Sequence, residues 1–291
     1  MKNNKFKTFL VLLFCFICVK SFSTEQFNFD ITEVQILENG NKFVGDKRGK
    51  IISNDGIIIN ADRFVYNKST NILNANGNVE ITDTINNYKI YSNEITYKKN
   101  ENLIFTKNNS KAISIDRNIE ITAQYFEYNK IKNIITAKSN VIIIDKLKDY
   151  KIYSNYINYF QNEERVFSRG KTKANINSKY KFNSEDLTLL RNTMELTSNK
   201  NSTIRDKLNI YKLSKFKYLM QKEELRGEDI IVITNYNLPK SDKFYFESAI
   251  IDLNNQDFIA TNTKINIHKE IFNNSKNDPR LKGVSSIKKG F

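Results

Sequence analysis

Tryptophan is absent from the 291 residues, and histidine, cysteine and glycine are scarce, at one, two and nine. One His and two Cys cannot build most zinc sites, and a His-dependent triad would rest wholly on His268. Nine Gly leave no room for a collagen-like chain or a Gly-rich phosphate loop. Catalysis of the familiar kinds is therefore not expected, and no catalytic residue, metal ligand or cofactor is assigned. What the chain does have is 40% hydrophobic and 12% aromatic residues, enough to bury a core in one large or two modest domains. It reads as globular and rich in β-structure.

Residues 1–23 read as a signal peptide. Lys2, Lys5 and Lys7 give a positive start, Phe9 to Val19 is an uninterrupted apolar run, and Ser21-Phe22-Ser23 offers small residues for cleavage. The apolar run is shorter than the roughly 20 residues that cross a bilayer, which disfavours the rival reading as an uncleaved anchor. Cys15 and Cys18 both lie inside this segment, so the exported chain is expected to carry no thiol and no disulfide.

The segment holds four lysines and no acid, so its removal leaves 42 basic against 32 acidic residues, a net charge of +10. The excess is mostly Lys and comes with abundant Asn and Ile. It reads either as the codon bias of an AT-rich genome or as provision for an anionic partner. The lysines do not cluster as those of nucleic-acid binders do, so no nucleic acid is expected.

Self-similarity organises the rest. The stretches A-D-R-F-V-Y-N at 61–67, S-N-E-I-T-Y-K at 92–98, A-Q-Y-F-E-Y-N at 123–129 and S-N-Y-I-N-Y-F at 154–160 place Phe64, Ile95, Phe126 and Ile157 at a constant step of 31. Tyr66, Tyr97, Tyr128 and Tyr159 keep the same step. The second half of the unit recurs too: L-N-A-N-G-N-V-E-I at 73–81 matches I-T-A-K-S-N-V-I-I at 135–143. Degenerate copies extend the array both ways, to about eight units, as capping repeats do.

Within a unit apolar and polar residues alternate, in segments rich in Ile, Tyr, Phe, Val and Thr, which predicts two half-buried strands per unit joined by polar turns. Stacked at about 4.8 Å, the strands would extend roughly 35–40 Å if each unit adds one strand to each of two facing sheets, and twice that if both join one sheet. Arg191 to Lys200 could hold a turn or two of helix. The inward parity is large and apolar; read alone, it is the core of a β-sandwich.

The unit A-D-x-[FI]-x-Y-[ND] followed by I-L-x-A-x-G-N-V-x-I, carried best by Ala61 to Tyr66 and Ile72 to Ile81, resembles the OstA-like repeat of the lipopolysaccharide transport proteins LptA, LptC and the N-terminal domain of LptD. The tail N-D-P-R-L-K-G-V-S-S at 277–286 and the start F-D-I-T-E-V-Q-I at 29–36 are similar to the ends of that domain in alphaproteobacterial LptD. The resemblance implies an all-β, twisted β-jellyroll over residues 24–272 and a linker at 273–291 that would lead into an outer-membrane barrel, which this sequence lacks. It further implies periplasmic lipopolysaccharide transport and outer-membrane assembly, with lipid A acyl chains in an interior formed by Phe64, Tyr66, Leu73, Val79, Ile81, Ile95, Tyr97, Phe126, Tyr128, Ile135, Val141, Ile143, Ile157 and Tyr159. An LptA-like bridge protein would add a strand at an edge formed by one strand around Phe29 to Ile36, holding Phe29, Ile31, Val34 and Ile36. The lipoprotein LptE would be a partner only of a barrel.

Two other readings remain: a structural β-solenoid or adhesin-like protein whose apolar interior is only core, and a stand-alone LptA-like bridge. Single motifs add little. His268 is expected to be exposed or hydrogen-bonded, and the acidic pairs Glu163-Glu164, Glu223-Glu224 and Glu228-Asp229 read as solvated turn charges, because adjacent residues point to opposite faces of a strand.

Overall fold

The computed structural model describes residues 26–272, 276 and 279–289. The signal-peptide reading of residues 1–23 lies outside them. Among the described residues the protein is all-β: 26 strands form one antiparallel sheet, with three short 3-10 turns at Glu38–Gly40, Lys99–Glu101 and Lys269–Phe272. Among the described residues no helix is long and apolar enough to cross a membrane.

Eight strands run unbroken for nine to twelve residues, such as Ile72–Asp83, Tyr88–Lys98, Ile134–Asp145 and Tyr150–Phe160. The other eighteen are short and fall into collinear pairs, as Leu103–Lys107 and Ser110–Ser114 do against the two halves of Tyr88–Lys98. The sheet is therefore a stack of seventeen rungs, each followed by the next in sequence. Both strands of each unit join this one sheet, so the longer of the two expected dimensions applies, about 75–80 Å at 4.8 Å per rung.

Each rung bends at its middle, and the sheet folds on itself into two walls. The first wall holds the halves with Phe64, Tyr66, Ile95 and Tyr97; the second holds those with Ile57, Ile59, Ile81 and Ile90. All eight side chains point inward and are at most 5% exposed, a degree of burial that a flat single sheet could not give them.

The bend has a local cause. In Ile72–Asp83 the register slips between Asn76 and Val79, and in Ile134–Asp145 between Lys138 and Val141. The inserted residues Gly77 and Asn78, and Ser139 and Asn140, all have positive φ, as do Asn108, Asn109 and Gly170 where rungs are broken. These are β-bulges, which turn a strand while keeping its pairing. Inside the fold line sit small hydroxyl residues. Ser92 donates to the Lys107 carbonyl at 2.8 Å, Thr172 bonds Ser168 at 2.9 Å and Ser154 at 3.1 Å, and Ser184 bonds Ser198 and Ser202 at 2.9 Å each. They fill the narrow angle and occupy polar groups that the bend exposes.

Three expectations are corrected. The stretch Arg191 to Lys200 carries no helix: it holds a turn and the strand Glu195–Ser198, whose Leu196 faces inward. The tail 273–291 is not simply a linker, because Arg280–Lys288 pairs along its length with Phe258–Asn266 as the last rung. Finally, the edge around residues 29–36 is not one strand. Phe27–Asp30 pairs with Gly49–Ser53 on the second wall, Gln35–Leu37 pairs with Lys42–Gly45 on the first, and residues 31–34 cross between them.

Candidate functional site: an apolar interior closed by a polar seam

All fourteen residues named for a lipid-holding interior are buried. Each is at most 5% exposed, ten on the first wall and Val79, Ile81, Val141 and Ile143 on the second. Their chain neighbours Val65 and Thr96 point outward.

Cross-strand pairing joins them into a row along the axis. Phe43 stands opposite Tyr66, and the pairing continues through Leu73, Tyr97, Ile104, Tyr128, Ile135, Tyr159, Val166, Leu189, Leu196, Tyr218, Leu225 and Ile251 to Phe258. From Tyr66 to Tyr159 a ring alternates with an aliphatic side chain, which is why the tyrosines recur every second rung. The walls meet through these groups: Phe182 of the second wall lies 5.6 Å from Phe216 and 5.1 Å from Tyr218 of the first, centroid to centroid. A void of about 30 Å³ among Tyr211, Val232, Phe246 and Phe258 has room for about one water. The interior here is filled by its own side chains, so an acyl chain enters only where the walls part.

They can part only opposite the fold line, where the rung ends of the two walls approach. This seam is polar. Asp55, in a second-wall turn, accepts from Tyr97 at 2.6 Å and pairs with Lys99 at 2.6 Å and Lys130 at 3.0 Å, both from first-wall turns. Burial works against its ionisation, but the hydrogen bonds from Lys99, Ser53, Tyr97 and Lys130 prevail and hold its carboxyl below the ordinary range. Asp83, 1% exposed, accepts from Tyr128 at 2.7 Å and from Asn86. Glu164 takes Arg117 at 3.2 Å and Arg191 at 3.4 Å, and Arg191 also reaches buried Asp145 at 2.6 Å. Farther along, Glu223 receives Lys179 at 2.6 Å and Tyr180 at 2.8 Å.

Burial, and then contact with these acids, pushes Tyr97 and Tyr128 upward, and burial does the same to Tyr88, Tyr150, Tyr159, Tyr180, Tyr211 and Tyr218. The hydroxyl of Tyr218 is buried without a hydrogen-bond partner among the described residues. Such a group weakens a closed state.

The expectation of solvated turn charges is thus corrected for Glu164 and Glu223, which are half-buried ties between walls. It stands for Glu163, which pairs with Arg165 two residues on, and for Glu228, paired with Lys215 on the surface. The repeat pattern by itself gives Asp55, Asp83, Asp145 and Arg191 no functional role. A signal was there: Asp83 and Asp145 end matching strands, V-E-I-T-D and V-I-I-I-D, two repeats apart. His268 bonds the Asp242 carboxylate through both its backbone N–H and its ring Nδ1, as a hydrogen-bonded residue should.

At the N-terminal end Phe29 stacks on Phe43 at 5.5 Å, and Ile31 packs over Gly45 and Gly49. Val34 lies in the crossing, outside either strand. Ile36 stands opposite inward-facing Phe43 yet is 62% exposed, because among the described residues no rung covers it. The apolar row therefore surfaces there. At the other end the row meets Lys288, opposite Phe258. No family model and no curated protein matches the sequence.

Proposed function

We propose that the chain is a lipid-carrying β-jellyroll of the lipopolysaccharide export apparatus. In this reading it is exported to the periplasm, takes lipid A acyl chains between its walls, and receives an LptA-like bridge protein at its N-terminal rung. The observation that carries the reading is the unbroken apolar row from Phe43 to Phe258, which emerges uncovered at Ile36. Removing acyl chains from water is worth roughly 0.8 kcal/mol per CH₂, a gain that would work against the closure of the two walls. No chemistry on the lipid is assigned, and LptE enters only if a barrel follows.

The test is photo-crosslinking to lipopolysaccharide from positions 64, 66, 95, 97, 126 and 128, with 65 and 96 as outward controls. Capture confined to the inward set supports the reading; equal capture at both sets sinks it.

The filled interior favours a second reading, a structural β-solenoid whose interior is only core. Cysteines replacing Asp145 and Arg191, joined by a thiol-specific cross-linker with a reducible bond that spans the reach of the lost arginine, would clamp the seam. A carrier loses lipid capture on cross-linking and regains it on reduction, whereas a purely structural protein captures none in either state.

A further inference from the structure

We infer that the outer face of the second wall, between residues 151 and 212, is a binding surface for a phosphorylated saccharide. The face carries six cations, Lys151, Lys171, Lys173, Lys181, Arg205 and Lys212, that form no ion pair among the described residues. Elsewhere on the outer faces the protein answers a lysine with a glutamate across the strand: Lys89 with Glu80 at 3.1 Å, Lys111 with Glu120 at 2.9 Å, Lys217 with Glu195 at 2.6 Å and Lys215 with Glu228 at 3.1 Å. On the outer face of the second wall between residues 151 and 212 that provision is missing among the described residues.

The pairing register concentrates the charge. One cross-strand row reads Lys151, Asn175, Lys181, Arg205, and its neighbour reads Tyr153, Lys173, Asn183, Thr203, Lys212. Lys181 and Arg205 stand directly opposite each other, an arrangement that destabilises a sheet. Folding gains nothing from it, and an anion laid across the strands would remove the repulsion. The rows cover five strands, about 19 Å.

The surface is concave. An open groove of about 850 Å³ runs along it, lined by Lys171, Lys173, Lys181, Tyr153 and a set of asparagines that includes Asn155, Asn175 and Asn183, with Glu185 the one acid among its lining residues. Lysine ammoniums suit phosphate oxygens, and carboxamides, which both donate and accept, suit sugar hydroxyls. A single tyrosine is a poor platform for stacked bases, which disfavours nucleic acid. The inference concerns an exterior groove and does not depend on lipid in the interior.

The probe is a glucosamine disaccharide bearing two phosphates, titrated calorimetrically into the described chain at physiological salt, against the same disaccharide without phosphate and against inorganic phosphate. The bisphosphorylated sugar should bind about tenfold more tightly than either. The Lys173→Gln/Lys181→Gln double variant should weaken it about tenfold, while Lys89→Gln/Lys111→Gln, which removes the same charge from paired lysines, should change it less than about twofold. Equal losses in the two doubles, or no preference over inorganic phosphate, would overturn the proposal. So would tighter, Lys173-dependent binding of polyglutamate, duplex DNA or anionic vesicles. Cross-linking the seam cysteine variant should leave this binding intact even where lipid capture is lost, which separates failure of this proposal from failure of the lipid reading.

Discussion

Arg191 and Asp145 meet across the seam with Nε and Oδ2 2.6 Å apart, both nearly excluded from solvent, although 46 positions separate them and they belong to opposite walls. Their chemistry makes the pair sensitive to being broken from one side. Arg191→Met leaves a buried carboxylate without its partner and should cost about 3–5 kcal/mol in urea unfolding. The double variant Arg191→Met/Asp145→Asn should recover a large part of that loss. If the single and double variants unfold alike, the two groups do not act as a pair.

The Asp55 hub predicts a dependence at low pH. Its carboxyl is held below the ordinary carboxylate value of about 3.9, so its contribution is fully present above that pH and is lost as pH falls through the depressed value. Urea midpoints of the wild type should exceed those of Asp55→Asn at pH 6, and the difference should shrink as the solution is acidified from pH 4 toward 2. A gap that stays constant over that range would remove Asp55 as the source.

At high pH the sign reverses. Eight tyrosines are raised by burial, so the stability they confer is fully present below about pH 10 and declines as pH rises from there toward their folded values. Phenolate absorbance from these eight should develop only with loss of the β-sheet circular dichroism signal. Replacement of Tyr128 by Phe should also free Asp83 from its seam partner and lower the pH of that transition. Smooth titration of all fifteen tyrosines with the fold intact would contradict the burial described here.

Gly77 tests the cause of the bend. Its φ is +76°, and a Cβ there would lie 2.6 Å from the Asp62 carboxylate, which is itself tied to Arg48 and Asn78. Gly77→Ala should cost about 1–3 kcal/mol, whereas Ser139→Ala, at the matching bulge one double repeat later, should cost less because that position already carries a Cβ. The comparison of thermal midpoints decides it.

The N-terminal rung predicts where a partner strand would add. Ile36→Lys places a charge where the apolar row surfaces, and should reduce co-purification with an LptA-like protein while leaving the melting temperature within a few degrees, since the residue is 62% exposed. Undiminished yield would argue against this edge.

Much of the fold could be read directly from the sequence. The step from Phe64 to Ile95, Phe126 and Ile157 and the alternation around it follow from the two-residue period of a strand, and all of these residues face inward. Position in the stack was less legible, because Phe64 and Phe126 sit in broken rungs and Ile95 and Ile157 in unbroken ones while the local pattern is the same. The seam was hidden for a different reason. Asp55, Glu164 and Arg191 occupy turns, where polar residues need no special explanation, and only the approach of the second wall reveals that they are shared. The edge was misread as one strand because Phe29, Ile31, Val34 and Ile36 are all apolar; the crossing at 31–34 follows from how Ile31 packs over Gly45 and Gly49.

The ties of the seam are not made between the ends of a single rung. Asp55, between the second and third rungs, is held by Tyr97 of the fifth. Asp83 of the fourth is held by Tyr128 of the seventh, and Asp145 of the eighth by Arg191 just past the eleventh. Each tie therefore leans about three rungs, roughly 14 Å, along the axis. Ties that lean can overlap like shingles: between the fourth and fifth rungs the Asp55 and Asp83 ties cross the same opening, so releasing one leaves the other in place. Such a closure resists a local breach and yields to separation that travels from an end.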